Sequence, residues 1–211
     1  MNNGGLYVGK AGTVLAIGAH PDDIELGCGG TIARYCSEGT RVICVYLTGG
    51  GKGGNAETRK KESIEACSVL GVREIHFGDF EDTEISCKHD EITFLEGFYE
   101  GYQPTVALTH SIHEMHQDHR NTAYVSLAAF RYVPALLSYE TPRVMGTFAP
   151  SYFIDINRWI DLKRKALEAH KSQMQKTYMN FQSMLNLASY RGRQANIDAA
   201  EAFEVVRYVE L

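Results

Sequence analysis

Short apolar runs alternate with amphipathic segments along most of the chain. Residues 13–18 and 41–47 are almost continuously apolar, which predicts strands that are buried on both faces. The remaining strands are predicted to be shorter, at residues 74–77, 105–109, 151–156 and 202–209. Between the strands, the spacing of apolar residues predicts helices at 31–37, 57–70, 92–102, 121–131 and 158–173.

This alternation of strands and helices predicts an α/β fold. Strands joined through helices form βαβ units, so we expect a mostly parallel sheet with helices on both faces. Ligands of such sheets bind outside the carboxyl ends of the strands. The loops that follow residues 18, 47, 77 and 109 should therefore line the functional site.

The other segments are interpreted as loops. Residues 1–12 are a loose lead-in, and substrate specificity is expected to lie in residues 48–56, 79–90, 132–150 and 175–195. The segment 132–148 is apolar for a loop, which favours a contact surface in a homo-oligomer.

Composition bounds the function. The chain has 211 residues, so we expect one domain spanning residues 1–211. Its 44% hydrophobic content argues against disorder, and its net charge of −5 argues against a nucleic-acid partner. No apolar run approaches the ~18 residues of a membrane span, so no membrane partner is expected.

The cysteines and the first residues favour a cytoplasmic protein. The five cysteines are an odd number without a CxxC pair, so we interpret them as reduced thiols that are mostly buried. The opening MNNGGLYVGKAG lacks the charged and then apolar pattern of a signal peptide.

Candidate chemistry begins directly after the first predicted strand. Residues 19–25 read AHPDDIE and bring His20, Asp22 and Asp23 together. Histidine and carboxylate are typical zinc ligands, and a catalytic zinc keeps one position open for water. One aspartate can bind the metal while its neighbour acts as a base. The alternative is that Asp22 or Asp23 only caps the following helix.

A second cluster follows the fourth predicted strand. Residues 109–119 read THSIHEMHQDH, so four of the chain's eight histidines fall within ten residues. His116 and His119 flank Asp118, and a metal-bound imidazole usually donates its other N–H to a carboxylate or carbonyl. His110 and His113 are assigned no role, because each can be an ordinary satisfied polar residue.

The two loops together predict a hydrolase of amides or esters. His20, Asp23 and one of His116 and His119 would supply three ligands and leave an open position. A zinc-bound water has a pKa near ~7, and a neighbouring carboxylate can take its proton. The remaining histidine can donate to the oxyanion of a tetrahedral intermediate.

These residues resemble the signature motifs of the LmbE/PIG-L family, the zinc-dependent N-acetylglucosaminyl deacetylase-like superfamily. The resemblance is carried by AHPDDIE at 19–25, with GCGGT behind it, and by HQDH at 116–119. It extends over nearly the whole chain through Arg59 and Glu62, LGV at 70–72, GDFED at 78–82, HKSQ at 170–173 and EAF at 201–203.

The resemblance implies a Rossmann-like domain that removes an acetyl group from an N-acetylated sugar or a related amine. It implies one Zn²⁺ per chain, held by His20, Asp23 and His119. Other divalent metals also suit two nitrogens and a carboxylate. The partner would be a small N-acetylated sugar or sugar conjugate.

The resemblance also implies roles for the neighbouring residues. Asp22 would be the general base, His116 would polarise the carbonyl and stabilise the oxyanion, and Asp118 would orient a histidine or pair with a cation. Arg59 would contact substrate, with a surface arginine as the alternative. Many members carry an aspartate where this chain has Glu114, whose carboxylate lies about one bond further out, so Glu114 is a candidate for a substrate-facing role.

Other interpretations stay open. The glycine loop at 49–53 lacks the Gly-Lys-Ser/Thr ending of a P-loop, so we interpret it as a rim loop whose Lys52 can meet an anionic group.

An esterase or phosphoesterase can use the same metal site, although phosphoryl chemistry often uses two metals. A non-catalytic binding module is the third hypothesis, although the chain lacks GxGxxG after its first strand and has no cysteine cluster for a structural zinc.

Overall fold

The computed structural model describes residues 12–209, so the predicted lead-in lies outside the described residues except for its last position. Strands occupy β1 Thr13–Gly18, β2 Arg41–Thr48, β3 Glu74–Phe80, β4 Val106–His110, β5 Ala135–Tyr139, β6 Tyr152–Asp155 and β7 Ala200–Tyr208. Helices occupy α1 Asp23–Ser37, α2 Ala56–Leu70, α3 His89–Tyr102, α4 Gln117–Ala129, α5 Ile160–Ala169 and α6 Phe181–Gln194.

The strands form one mixed sheet in the order β3-β2-β1-β4-β5-β7-β6. The first five strands in this order are parallel, and β7 runs antiparallel to both β5 and β6. The mostly parallel, Rossmann-like sheet is therefore confirmed. The chain crosses from β3 to β4 at the far side of β1, which creates a crevice between the carboxyl ends of β1 and β4.

Helices cover both faces of the sheet. Val14 and Ala16 of β1 pack into a core that includes α1, α2 and α5. Leu15 and Ile17, which point to the opposite face, pack into a second core with α3 and α4. This double burial explains why β1 has no polar alternation.

Helix α1 begins at Asp23, well before the predicted start at residue 31. The glycines at 27, 29 and 30 were interpreted as the end of a loop, but they lie inside the helix. A Cβ at Gly27 would overlap the ring of Tyr139, so this glycine lets the first turn of α1 pack against β5. The helix is broken at Cys28, where φ is −142° and ψ is 23°.

A buried ion pair, Lys163–Glu201, stabilises this break. The Glu201 carboxylate accepts hydrogen bonds from the backbone N–H groups of Gly30 at 2.9 Å and Thr31 at 2.7 Å. Lys163 Nζ donates to Glu201 and, at 2.7 Å, to the carbonyl oxygen of Leu26. The pair thus satisfies backbone groups on both sides of the break, as caps do at ordinary helix ends.

Other predicted boundaries are also wrong. Helix α4 begins at Gln117 instead of residue 121, and the predicted helix at 158–173 is α5, which ends at Ala169. Strand β5 and helix α6 occupy segments that were interpreted as loops. The apolar residues of β5 are buried beside β4, so the interior of the sheet accounts for part of the apolar character that suggested an interface.

The cysteine prediction agrees with the structure. All five cysteines are free thiols, and Cys28, Cys44 and Cys67 are buried. Within residues 12–209, none of the helices has the length and apolar composition needed to cross a bilayer.

Candidate metal centre and active site

The candidate site lies in the crevice between β1 and β4. Its cavity, of about 240 Å³, is lined by residues from the loops after the first four parallel strands. These are His20 and Asp22 after β1, Lys52 and Gly53 after β2, Asp82 and Thr83 after β3, and His116 and His119 after β4. The expected position at the carboxyl ends of the strands is therefore confirmed.

The loop after β1 is held in a strained shape. Asp22 is the residue that precedes α1, and its φ of 109° is a conformation that side chains other than glycine rarely adopt. The Asp22 side chain makes no capping hydrogen bond, so the simple helix-cap interpretation does not describe it. The Asp23 carboxylate accepts the backbone N–H of His20 at 2.7 Å, which closes the turn.

The three predicted metal ligands converge beside this loop. His20, Asp23 and His119 are buried, and donor atoms from the three lie within 4.8 Å of one another. Asp23 Oδ1 is 3.2 Å from His119 Nε2, and Asp23 Oδ2 is 3.4 Å from His20 Nδ1. Two imidazoles and a carboxylate form the donor set of a three-ligand zinc site.

The electrostatics of this group favour a bound cation. Burial by itself would lower the pKa of His119, but Asp23 and Glu114 raise it to about 9. Burial would likewise lower the pKa of His20, yet hydrogen bonds to Asp118, Asp23 and Asp82 raise it well above its usual value. The same carboxylates would stabilise a divalent cation in place of the ring protons, so the residues present fit a divalent metal.

Carboxylates orient the outer nitrogens of both histidines. His20 Nε2 lies 2.9 Å from Asp82 Oδ1 and 3.1 Å from Asp118 Oδ2. His119 Nδ1 lies 3.5 Å from Glu114 Oε2, and Thr141 donates a hydrogen bond to the other Glu114 oxygen. A carboxylate behind a metal-binding imidazole fixes the orientation of the ring.

Two of these placements refine the sequence prediction. Asp118 faces His20, as expected of a residue that orients a histidine. Glu114 is fully buried behind His119 and is absent from the described lining of the cavity, so the structure places it away from the substrate-facing position.

Asp22 occupies the wall beside the metal ligands. Its buried carboxylate lies 3.3 Å from an Arg59 nitrogen and accepts a hydrogen bond from the Tyr178 hydroxyl at 3.2 Å. Burial raises the pKa of Asp22, Arg59 opposes the shift and Asp23 adds to it, so that the pKa is about 6. A carboxyl group with such a pKa can both accept and return a proton near neutral pH.

Arg59 is a buried residue of the cavity wall, so the surface-arginine alternative is wrong. Its guanidinium donates to the carbonyl oxygen of Pro21 at 2.6 Å and to that of Gly50 at 2.8 Å. A Cβ at Gly50 would overlap this guanidinium, and Gly50 has a φ of +67°. The glycine loop is therefore shaped around Arg59.

His116 stands at the start of α4, where it lines the cavity. Its Nδ1 accepts the backbone N–H of Asp118 at 3.2 Å. Burial and the charge of His119 lower the pKa of His116, which favours the neutral ring. With Nδ1 as the acceptor, the proton of a neutral ring is on Nε2, so His116 can donate a hydrogen bond there.

Several residues of this site were not predicted from the sequence. His110 stacks on His119, with ring centroids 4.1 Å apart, and its Nε2 lies 3.1 Å from Asp23 Oδ2. Asp82 lies within the GDFED motif, at the end of a strand, and this position could have identified it as a site residue. Tyr178 belongs to a segment interpreted as a loop, and nothing in the local sequence marks it. His113, the other unassigned histidine, lies 3.1 Å from the Thr147 hydroxyl.

A larger cavity adjoins the first. It has a volume of about 420 Å³ and shares Leu26, Pro142, Arg143 and Tyr178 with the metal-site cavity. Glu140, Lys163, Arg191 and Glu201 supply its other charged groups.

The chain is similar in sequence to a known family and to curated deacetylases. Residues 15–130, which include both motif loops, match the family PIG-L, described as GlcNAc-PI de-N-acetylase. An Escherichia coli K12 protein described as the uncharacterized deacetylase YaiS is 35% identical over 167 residues, 75% of this chain and 90% of that protein. The diacetylchitobiose deacetylase of Thermococcus kodakarensis is 28% identical, with 92% of this chain and 82% of that protein covered.

A solved structure shows the same fold. The crystal structure of the conserved protein TT1542 from Thermus thermophilus superposes with a TM-score of 0.85 at 28% identity. The alignment covers 95% of this chain and 97% of that one, so the similarity extends well beyond the two motif loops.

Proposed function

Because the chain belongs to the LmbE/PIG-L deacetylase family, we propose that it is a metal-dependent hydrolase that removes the acetyl group from an N-acetylated amino sugar or sugar conjugate. The observation that carries this proposal is the convergence of three metal donors, a carboxylate of raised pKa and a neutral histidine on one cavity. Hydrolysis of an amide requires these components: an activated water, a proton acceptor and an oxyanion donor.

His20, Asp23 and His119 would hold the metal, and we propose one Zn²⁺ per chain. When bound, the ion supplies Lewis-acid activation of water and lowers the pKa of water toward ~7. Asp82, Asp118 and Glu114 keep the two imidazoles in position for this ion.

Asp22 acts as the general base. It takes a proton from the attacking water and then returns a proton to the nitrogen of the leaving amine. Its raised pKa suits both steps, because the group must be able to exist in either protonation state near neutral pH. Tyr178 and Arg59 hold the carboxylate in place from two sides.

His116 donates from Nε2 to the oxygen of the acetyl carbonyl as negative charge develops there. The hydrogen bond from the Asp118 N–H to Nδ1 fixes the tautomer required for this donation. Arg59 reaches the cavity wall beneath the glycine loop, from which it can contact the substrate.

The proposal is tested by measuring metal content and acetate release together. Protein purified without a nickel column is analysed by mass spectrometry and assayed on N-acetylglucosamine, chitobiose-type and glycoside substrates. We expect about one zinc per chain and the release of acetate together with a free amine. Protein reloaded with zinc that releases no acetate, or that cleaves a phosphomonoester in preference to every acetamide, contradicts the proposal.

A further inference from the structure

We propose that the natural substrate carries an anionic group, a carboxylate or phosphate, and that Arg143 binds it with help from Lys176. This inference rests on the proposed function and deepens it by naming a substrate class. It follows from the distribution of charge along the two adjoining cavities.

The wall of the metal-site cavity contains more cationic side chains than the proposed metal chemistry requires. Its carboxylates, Asp22, Asp23 and Asp82, all belong to the metal centre or its immediate supports. Arg59 is paired with Asp22, and Lys52 lies 3.1 Å from a carboxylate oxygen of Glu81.

Arg143 and Lys176 differ from these paired cations. Both are exposed residues at the rim of the cavity, and in residues 12–209 neither side chain has an ion pair or a side-chain hydrogen bond. The two side chains therefore offer unpaired positive charge at the cavity, in a chain whose net charge is −5. Such charge raises the local concentration of an anionic ligand.

The larger cavity shows the same pattern. Glu140 is bound by Arg191 through two hydrogen bonds of 2.7 Å and 2.6 Å, and Glu201 is bound by Lys163. Both carboxylates of this cavity therefore already have their own cation. Arg143, which lines both cavities, is the cation left without a partner among the described lining residues.

Arg143 is also connected to the proposed base, Asp22, through Tyr178. Its guanidinium lies over the ring of Tyr178, with Cζ 5.5 Å from the ring centroid, and the hydroxyl of the same tyrosine contacts Asp22. One tyrosine ring thus separates Arg143 from the proposed base. A cation–π contact of this kind does not use the guanidinium N–H groups, which remain available for a carboxylate or phosphate.

A substrate placed at the metal centre can therefore extend past Tyr178 into the larger cavity. Its acetamide would lie at His20, Asp23 and His119, and its substituent would pass Arg143. The other cations of that cavity, Lys163 and Arg191, are paired with Glu201 and Glu140, so Arg143 selects for a negative charge where the two cavities meet.

Matched substrates test this inference. The carboxymethyl glycoside of N-acetylglucosamine is compared with its uncharged carboxamide, and N-acetylglucosamine 6-phosphate is compared with N-acetylglucosamine. We expect kcat/KM to favour the anion by about 10-fold or more in at least one pair, mainly through KM, and to lose this preference as salt is raised. The pair that shows the preference identifies carboxylate or phosphate.

Arg143→Gln should lower the ratio of anionic to neutral kcat/KM by about 10-fold, and Arg143→Lys should restore part of it. Arg158→Gln is the matched control, because Arg158 is exposed, loses the same charge and lines neither cavity. Equal kcat/KM within both substrate pairs, or an unchanged ratio in Arg143→Gln, would overturn the inference.

Calorimetric binding of the same compounds separates this inference from the proposed function. A preference for the anion that depends on Arg143, in protein that releases no acetate, supports the cation site and contradicts the deacetylase. Acetate release without any preference for the anion supports the deacetylase and contradicts the cation site.

Discussion

Helix α1 joins two buried polar clusters that differ in one physical respect. The helix begins at Asp23, which belongs to the metal-site cluster of His20, Asp23, Glu114, Asp118 and His119. At the break in the helix, backbone groups form hydrogen bonds with the Lys163–Glu201 pair. Both clusters hold charged groups away from water. Among the described residues, the Lys163–Glu201 pair has no buried polar atom without a hydrogen bond. In the metal-site cluster, Asp118 Oδ1 has none, and Glu114 Oε2 and His119 Nδ1 approach each other only to 3.5 Å.

This difference separates a structural role from a role in binding. An unpaired buried polar atom costs about 1–3 kcal/mol, so a cluster that keeps several of them is poorly designed for stability alone. The Lys163–Glu201 pair satisfies itself and the backbone around it. The metal-site cluster instead brings His20 Nδ1 and His119 Nε2 to the Asp23 carboxylate, an arrangement suited to binding a cation.

The largest expected effect concerns turnover. Asp23→Ala should lose both the bound metal and acetate release, because it removes a central donor. Asp22→Asn should keep the metal and lose turnover by about 10²- to 10⁴-fold, because it removes the base alone. Metal content and kcat are measured on both variants.

Asp22→Asn should keep the fold in chelator, because the Arg59 guanidinium retains its hydrogen bonds to the carbonyl oxygens of Pro21 and Gly50. If Asp22→Asn lowers the free energy of unfolding by several kcal/mol, the proposed difference between the two clusters is wrong. Near wild-type kcat in that variant would show that Asp22 is not the base.

The second effect concerns stability. Lys163→Met should lower the free energy of unfolding by about 3–5 kcal/mol, because it leaves Glu201 buried without its counter-charge. Chemical denaturation measures this change. Lys165→Met is the control on the same helix, since Lys165 is exposed and should change stability by less than about 0.5 kcal/mol. Equal effects of the two substitutions would contradict the structural role of the pair.

The third effect lies at the glycine loop. Gly50→Ala places a Cβ against the Arg59 guanidinium at a positive φ, so Arg59 must shift away from Pro21 and Asp22. We expect kcat/KM to fall by about 10-fold, with a loss of stability of only about 1–2 kcal/mol. Gly101→Ala, where a Cβ meets nothing within 4 Å, should leave kcat/KM unchanged. An unchanged kcat/KM in Gly50→Ala would argue that Arg59 has no part in the reaction.

The smallest effect is expected at Tyr178. Tyr178→Phe removes one hydrogen bond to Asp22 and keeps the ring beneath Arg143, so kcat should fall by no more than about 10-fold. Tyr190→Phe, at an exposed tyrosine of α6, is the comparison. If Tyr178→Phe lowers kcat by about 10³-fold or more, the Tyr178 hydroxyl takes a direct part in proton transfer.

Local patterns were sufficient to predict the central strands and the convergence of His20, Asp23 and His119. β1 and β2 are strongly apolar because both of their faces are buried, and such a pattern is visible without any tertiary information. His20, Asp23 and His119 were predictable because parallel strands deliver their following loops to one edge of the sheet. The motif resemblance then distinguished His119 from His116.

Helix α1, β5 and α6 could not be predicted in the same way. The GCGGT segment contains residues that disfavour a helix, and its helical state depends on Tyr139 packing over Gly27 and on Glu201 bonding to Gly30 and Thr31. These partners lie far away along the chain. The residues near α1 in the sequence therefore do not reveal these partners.

The α/β class, the parallel strands and the convergence of His20, Asp23 and His119 could be predicted from the order of residues, because each depends on short-range periodicity or on residues adjacent in the chain. Packing of the folded chain places Glu114 against His119, buries Arg59 against Asp22, and brings Arg143 and Tyr178 to the cavity. Burial, charge pairing and pKa are properties of a side chain's neighbours in space, and these neighbours are set by packing of the whole sheet and its helices.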